Sequence, residues 1–305
     1  MRVALVLGSG GARGYAHLGV VDELRARGHE IVAISGTSMG ALVGALTAAG
    51  RDQEFADWAR SLTQRKVWQL LDPALTAPGA IRGTKVITRV SGLLGEGSIE
   101  DLPIPFTAVA SDLTTQREVW FQSGPVTAAI RASIAIPGAL TPVEMGGHVL
   151  VDGGLLNPVP VEPVLAVPAD FVLAVNLTGP DHPSTGSAPV HEAAQMPEGQ
   201  DSVTWLAKVG MDLDKLRWAR GNREPGVQEV AARSGSDRLT TTDVLMRTWE
   251  TVQAATARYR MATNPPHVVV TVPLRACRGL DFHRAAEMID LGRSLAAKSL
   301  SAAGY

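Results

Sequence analysis

The sequence has 305 residues, of which 45% are hydrophobic and 19% charged, so it can bury a large core and is not a chain disordered throughout. Its formal net charge of −2 excludes the basic field that would hold nucleic acid, and no nucleic-acid partner is expected. The single cysteine, Cys277, excludes an internal disulfide framework and indicates a reducing compartment, which predicts a cytoplasmic protein.

The first predicted element is a buried strand over Arg2–Leu7. Its apolar run is shorter than the roughly 7–15 residues of a signal-peptide core. The longest weakly polar stretch, around the helix that follows Gly40, also ends before the roughly 20 positions of a membrane span. Any contact with a membrane is therefore expected to be peripheral.

A glycine-rich loop, Gly8–Gly14, follows this strand and leads into a helix predicted over Tyr15–Arg27. A strand, a glycine loop and a helix N-terminus suit either the pyrophosphate of a dinucleotide or an oxyanion hole that stabilises a developing negative charge. The dinucleotide pattern needs glycine at its sixth position, where this sequence has Arg13. It also needs an acidic residue after the second strand, where this sequence has Gly36-Thr37-Ser38. Dinucleotide binding is therefore disfavoured.

The segment Glu30–Ala45 has the pattern of a nucleophile elbow, in which the turn G-x-S-x-G joins a strand to a helix. Apolar residues run to Ile34, the turn is Gly36-Thr37-Ser38-Met39-Gly40, and small residues continue with helical character from Ala41. Glycine is expected at both ends of the turn because side chains there would collide where strand and helix approach. Ser38 is therefore the candidate nucleophile, and a purely structural turn is the alternative.

The rest of the chain alternates helices and strands, which predicts an α/β fold. Helices are predicted within Gln53–Leu71 and over Lys85–Leu94, Pro125–Ser133, Thr242–Ala262 and Phe282–Ala297, and strands over Ile104–Ser111, Arg117–Phe121, His148–Val151, Phe171–Leu177 and His267–Val272. Linker-like Gly, Pro and Ser clusters between Thr178 and Arg238 predict one domain over residues 1–305 with an insertion at 178–238. An amphipathic stretch within it, Val203–Arg220, is typical of ordinary packing or of a mobile lid or membrane contact.

A second catalytic candidate, Asp152, ends the strand that begins at His148 and precedes Gly153-Gly154. This pattern predicts a carboxylate on an exposed, tightly bent loop, at the edge where catalytic groups of a parallel sheet collect. A simple aspartate turn is the alternative. None of the seven histidines combines a strand end with a glycine-rich loop, so a serine–aspartate dyad is favoured over a triad with histidine.

Four short blocks, in this order, resemble the motifs of the patatin-like phospholipases: GSGGARG at Gly8–Gly14, GTSMG at Gly36–Gly40, ASIAIP at Ala132–Pro137 and DGG at Asp152–Gly154. Each block is weak alone, but the four together are specific. The likeness is to the bacterial branch that resembles the catalytic domain of neuropathy target esterase. It implies a three-layer α/β/α sandwich with a mostly parallel central sheet and a Ser–Asp dyad at strand C-terminal ends.

The resemblance also implies a role for each site residue. Ser38 would be the nucleophile, Asp152 its base, and the backbone amides of Gly10, Gly11 and Arg13 the oxyanion hole. The reaction would be hydrolysis of a carboxylic ester in a phospholipid, lysophospholipid or related lipid, with no metal and no cofactor. Acyl transfer to an acceptor other than water is one alternative, and a regulatory or interaction protein that keeps the fold without activity is another.

Two side chains of this site carry a physical expectation of their own. A free aspartate has a pKa of about 3.9 and is a poor base toward a serine hydroxyl, so Asp152 is expected to be desolvated in part, or to take the proton only as the serine attacks. The guanidinium of Arg13 is expected either to anchor its loop or to bind a headgroup phosphate, because its planar fork matches phosphate oxygens.

Overall fold

The computed structural model describes residues 1–71, 84–180 and 241–305. Residues 181–238 of the predicted insertion, with the stretch Val203–Arg220, lie outside the described residues, whereas Thr178 and Gly179 form the end of a strand. Strands on both sides of the undescribed segment pair in one sheet. No helix within the described residues is long and apolar enough to cross a membrane.

The described residues form one sheet of eight strands. They are β1 (Arg2–Leu7), β2 (Glu30–Thr37), β3 (Phe106–Asp112), β4 (Arg117–Phe121), β5 (Val143–Met145), β6 (His148–Asp152), β7 (Phe171–Gly179) and β8 (Val268–Pro273). Their order is β5-β6-β3-β2-β1-β7-β8, and β4 also pairs with β3. The strands from β3 through β2, β1 and β7 to β8 run parallel, whereas β4, β5 and β6 join by antiparallel pairing.

One edge of β3 is shared by two strands that meet end to end. Along β3, the pairing of β2 stops at Thr37 opposite Val109, and the pairing of β6 stops at Asp152 opposite Ala110. Both strands lie on the edge away from β4, because β4 pairs with the same β3 residues from the other side. The C-terminal ends of β2 and β6 therefore lie next to each other, although β6 runs antiparallel to β3 and not parallel as the sequence pattern implied.

Helices cover both faces of the sheet. They are α1 (Ala16–Ala26), α2 (Met39–Ala48), α3 (Asp52–Arg60), α4 (Gln64–Leu71), α5 (Thr84–Leu94), α6 (Val126–Ser133), α7 (Thr241–Thr263) and α8 (Ala285–Ala303). Side chains of β1 alternate between two cores: Leu5 and Leu7 pack with α1, α2 and α8, whereas Val6 packs with Ala257 of α7. This arrangement confirms the predicted α/β/α sandwich with a mostly parallel sheet.

Most predicted elements are present, with ends that shift by a few residues. The strands over Arg2–Leu7 and Arg117–Phe121 have the predicted limits. The short strand β5 was not predicted, because three residues are too few to show an alternating pattern. It pairs with β6 across a turn whose two glycines, Gly146 and Gly147, both have positive φ.

Candidate active site

Ser38 occupies a strained turn between β2 and α2. Its φ of 58° and ψ of −123° lie in a region that residues with side chains rarely adopt. The turn is also crowded: a Cβ added to Gly36 would lie 2.4 Å from the carbonyl oxygen of Gly40, and one added to Gly40 would lie 2.0 Å from that of Leu7. Strand and helix can approach this closely only because both positions are glycine.

The hydroxyl of Ser38 meets the carboxylate of Asp152 directly. Ser38 Oγ donates to Asp152 Oδ2 at 2.5 Å, and the other carboxylate oxygen, Oδ1, accepts from the backbone amide of Gly154 at 2.7 Å. The Asp152 amide donates to the carbonyl of Ala135, which holds the end of β6 in place. Ser38 is 3% exposed and Asp152 is 0% exposed, so the expectation of a carboxylate on an exposed loop is wrong.

Burial changes the chemistry of this carboxylate. Loss of water around Asp152 raises its pKa from 3.8 to about 7, against the smaller opposing effects of the hydrogen bonds from Ser38 and Gly154. A general base works best when its pKa lies near the working pH. The desolvation expected from the sequence is therefore present, and it makes Asp152 a far better proton acceptor than a free aspartate.

The glycine loop lies against both of these segments. A Cβ added to Gly14 would lie 2.2 Å from Met39 Cγ, and one added to Gly154 would lie 2.7 Å from Ser9 Oγ. A 3-10 helix begins at Gly11, where the first backbone amides have no acceptor within the helix. The amide of Ala12 donates to the carbonyl of Gly279, whereas the amides of Gly10 and Gly11 lie at the N-terminus of the 3-10 helix.

Comparison with known proteins identifies the family. Residues 5–165, which include all four sequence blocks, match the family model described as patatin-like phospholipase. An uncharacterized NTE family protein of Mycobacterium tuberculosis strain H37Rv is 43% identical over 99% of this chain and 92% of its own length. The chain belongs to the patatin-like phospholipase family. Membership in this family points to a lipid acyl hydrolase.

Other comparisons are more distant. Patatin-like phospholipase domain-containing protein 6 of Mus musculus is 32% identical over 59% of this chain and 14% of its own length. The crystal structure of VipD from Legionella pneumophila aligns with 99% of this chain and 66% of its own, at 14% identity and a TM-score of 0.44, which is too weak a likeness to support further conclusions. The mycobacterial relative and the mouse protein together confirm the predicted resemblance to the branch of neuropathy target esterase.

Ser133, within the third patatin block, supports the turn that carries Ser38. Its hydroxyl accepts from the backbone amide of Ser38 at 2.9 Å and donates to the carbonyl of Val109 at 2.6 Å. Sequence reasoning assigned no role to this serine, although its place in the ASIAIP block at the end of α6 was a signal. Ser133 therefore holds the strained turn to β3 without touching the reacting hydroxyl.

The helix α7 braces the glycine loop of this patatin domain through two side chains that the sequence did not single out. Gln253 donates to Ser9 Oγ at 2.9 Å, and Glu250 accepts from the guanidinium of Arg13 at 2.9 Å. That guanidinium also donates to the carbonyls of Leu274 and Cys277 and is almost fully buried. Of the two roles expected for the Arg13 side chain, the structure therefore supports loop anchoring.

Neither histidine close to these segments takes the place of Asp152. His17 is buried and its Nε2 lies 2.8 Å from the carbonyl oxygen of Gly8. Burial lowers the pKa of His17 to about 4, so it is neutral and donates this bond. His148 begins β6, as expected, and its Nδ1 lies 2.7 Å from Asp112. His17 thus supports the loop, a contact that its position within a helix concealed.

The described residues contain no group of three or more histidine, cysteine, aspartate or glutamate side chains placed to hold a metal ion. The charged groups of the patatin site are instead committed to protein partners. Asp152 is engaged by Ser38 and Gly154, and Arg13 by Glu250 and two carbonyls. What the arrangement supplies is a serine hydroxyl at a strained turn, a buried carboxylate hydrogen-bonded to it, and backbone amides at the start of a 3-10 helix.

Proposed function

We propose that this protein is a serine acyl hydrolase that cleaves a carboxylic ester bond of a phospholipid, lysophospholipid or related lipid through Ser38 and Asp152. The observation that carries the proposal is the 2.5 Å hydrogen bond from Ser38 Oγ to Asp152 Oδ2, made in a fully buried setting at a strained turn. A buried carboxylate that accepts a hydrogen bond from a serine at a strand end has the geometry of a nucleophile with its base. The family supplies the lipid ester as substrate class.

In the first half-reaction, Ser38 Oγ attacks the ester carbonyl carbon while its proton passes to Asp152. The tetrahedral intermediate carries a negative charge on the former carbonyl oxygen. When the intermediate collapses, the bond between the acyl carbon and the leaving alcohol oxygen breaks. Asp152 gives its proton to this alcohol oxygen. The product is an acyl group on Ser38 and a free alcohol, with the carboxylate ready for the next step.

In the second half-reaction, water takes the place of the alcohol. Asp152 accepts a proton from the water as its oxygen attacks the acyl carbon, and the same proton returns to Ser38 Oγ when the acyl bond breaks. The fatty acid leaves and the resting site is restored. A pKa of about 7 suits both directions, because the carboxyl group must accept and then donate one proton in each half-reaction.

The developing oxyanion is assigned to the backbone amides of Gly10, Gly11 and Arg13. Support comes from the start of the 3-10 helix at Gly11 and from the contact of this loop with the turn at Ser38. The N-terminus of α2, which begins at Met39, adds the positive end of a helix dipole beside the nucleophile. Loss of one such donor typically lowers turnover about 10²–10³-fold.

The test compares purified wild type with Ser38→Ala and Asp152→Asn on a short p-nitrophenyl acyl ester. Both variants should lose turnover while they keep the wild-type circular dichroism spectrum, and only wild type should be labelled by a fluorophosphonate probe. His148→Ala, at an exposed position in the same strand as Asp152, is the control and should remain active. An active Asp152→Asn together with an inactive His148→Ala would instead indicate a histidine base.

Product analysis decides between water and another acceptor. Lipid extracts incubated with wild type should release free fatty acid in proportion to the alcohol formed, and Ser38→Ala should release neither. Addition of glycerol or an amine should leave this proportion unchanged. Transfer of most of the acyl group to the added acceptor would replace hydrolysis with acyl transfer in the proposal, while unlabelled wild type in the probe experiment would favour the inactive regulatory alternative.

A further inference from the structure

The helices α4 and α5, which we call the basic helix pair, carry four cationic side chains and no acidic one: Arg65, Lys66, Lys85 and Arg89. All four are exposed. Lys66 donates to the carbonyl of Ser61, Lys85 to that of Gln69, and Arg89 lies over the ring of Trp58, so none is neutralised by a described carboxylate. A chain with a net charge of −2 thus carries a local cluster of positive charge on these two helices.

A large aromatic side chain stands among these charges. Trp68 is 65% exposed, whereas its neighbour Val67 is buried, so α4 packs its apolar side inward and leaves the indole outside. Residues three apart in a helix share a face, which places Trp68 beside Arg65. Tryptophan with flanking arginine and lysine is the composition of helices that lie at a membrane surface, because the amphipathic indole sits at headgroup level.

The basic helix pair lies beside the walls of the Ser38 site. The helix α4 packs against the turn Phe282–Arg284, which follows Gly279, the acceptor for the Ala12 amide of the glycine loop. The helix α5 packs against α6, whose last residue, Ser133, bonds to the amide of Ser38. A membrane docked on these helices would therefore be one packed element away from the segments that hold Ser38.

From these observations we propose that the outer face of the basic helix pair docks onto a membrane that contains anionic phospholipid. This inference rests on the proposed function, which requires the protein to reach lipid. Charge complementarity selects the occupant: four cations on two helices that themselves carry no acidic residue match a field of phosphate headgroups, and one exposed indole suits insertion at an interface. Each cation near such a surface strengthens binding about fivefold.

The experiment measures binding without hydrolysis, with the full chain carrying Ser38→Ala. This Ser38→Ala variant is sedimented with vesicles of phosphatidylcholine alone and with vesicles of phosphatidylcholine mixed with phosphatidylglycerol. The mixed vesicles should bind it more strongly, and added salt should weaken that binding because the Debye length shortens. Reversal of two charges, Arg65→Glu with Lys66→Glu, should weaken binding to the mixed vesicles at least tenfold, and Trp68→Ala should weaken it several-fold.

A control exists on β4, where Arg117 and Trp120 are exposed and lie outside the basic helix pair. Arg117→Glu with Trp120→Ala should leave vesicle binding unchanged. In the chain that retains Ser38, Arg65→Glu with Lys66→Glu should keep wild-type turnover of a soluble p-nitrophenyl ester and lose turnover of vesicle lipid. Equal losses of binding in both double variants would overturn the docking face, as would equal binding to neutral and anionic vesicles.

Failure of this proposal is distinct from failure of the proposed function. Vesicle binding is measured in a chain that lacks the Ser38 hydroxyl, so the result does not depend on turnover. Normal ester turnover with no preference for anionic vesicles would remove the docking face alone. A different outcome would assign the basic helix pair to a protein partner instead. In that case the chain with Arg65→Glu and Lys66→Glu would bind vesicles as wild type does but would no longer bind an acidic protein.

Discussion

The buried carboxyl group of Asp152 should make the stability of this protein depend on pH in an unusual direction. Its pKa is about 7 in the folded protein and close to 3.8 when the chain is unfolded. The folded state therefore holds the proton more tightly, and the contribution of this group to stability is most favourable at low pH, where the group is neutral in both states. Stability is lost as the pH rises from about 4 to about 7, because the folded protein must then bury a charge.

The size of this effect follows from the two pKa values. A difference of about 3 between them corresponds to about 4 kcal/mol at full ionisation. Between pH 5 and pH 8, about 2.5 kcal/mol of this cost appears. Asp152→Asn is neutral at every pH and keeps an oxygen that can accept from the Gly154 amide. Relative to wild type, the variant should therefore gain about 2.5 kcal/mol of unfolding free energy between pH 5 and pH 8.

Urea unfolding of wild type and Asp152→Asn, followed by circular dichroism at pH 5, 6, 7 and 8, measures this difference. Asp57→Asn is the control, because its side chain is 79% exposed and its difference from wild type should stay flat over the same range. A difference between Asp152→Asn and wild type that is also flat from pH 5 to pH 8 would refute the assignment of a desolvated, proton-sharing carboxyl group at this position.

Two further predictions concern catalysis and the elbow. Since Asp152 must be ionised to accept the proton of Ser38, kcat/KM for a p-nitrophenyl ester should fall about tenfold per pH unit below about pH 7, and a profile that stays flat down to pH 5 would exclude this base. Gly40→Ala should abolish turnover and lower Tm, because its Cβ would lie 2.0 Å from the Leu7 carbonyl oxygen. Gly92→Ala, whose Cβ would have no neighbour within 4 Å, is the control measured in the same assays.

Local sequence was enough to find the parts of the site. The elbow is visible because an apolar β-branched run, two glycines and a serine within five residues are dictated by the sterics of one turn. The limits of the strand Arg2–Leu7 follow equally from its continuous apolar run, which ends at the first glycine of the loop. These features depend on neighbours along the chain, so no tertiary information was needed to locate Ser38 or the glycine loop.

The supporting contacts around the site could not be predicted in this way. The Arg13 guanidinium bonds to Glu250, Leu274 and Cys277, all more than 200 positions away along the chain. His17 was set aside as a helix residue, yet the first turn of α1 brings its ring to the carbonyl of Gly8. Each contact depends on how elements far apart in the chain pack together, and the spacing of residues along the sequence does not predict that packing.

The pairing of Ser38 with Asp152 shows what the sequence alone does not determine. The sequence determined both residues, their glycine neighbours and their places at strand ends. Only the tertiary structure decided that β6 runs antiparallel and meets β2 end to end along one edge of β3, which places the Asp152 carboxylate beside the Ser38 hydroxyl. It also decided the chemistry of that carboxylate, because a pKa of about 7 comes from the removal of water by the packed fold and not from any residue next to Asp152 in the chain.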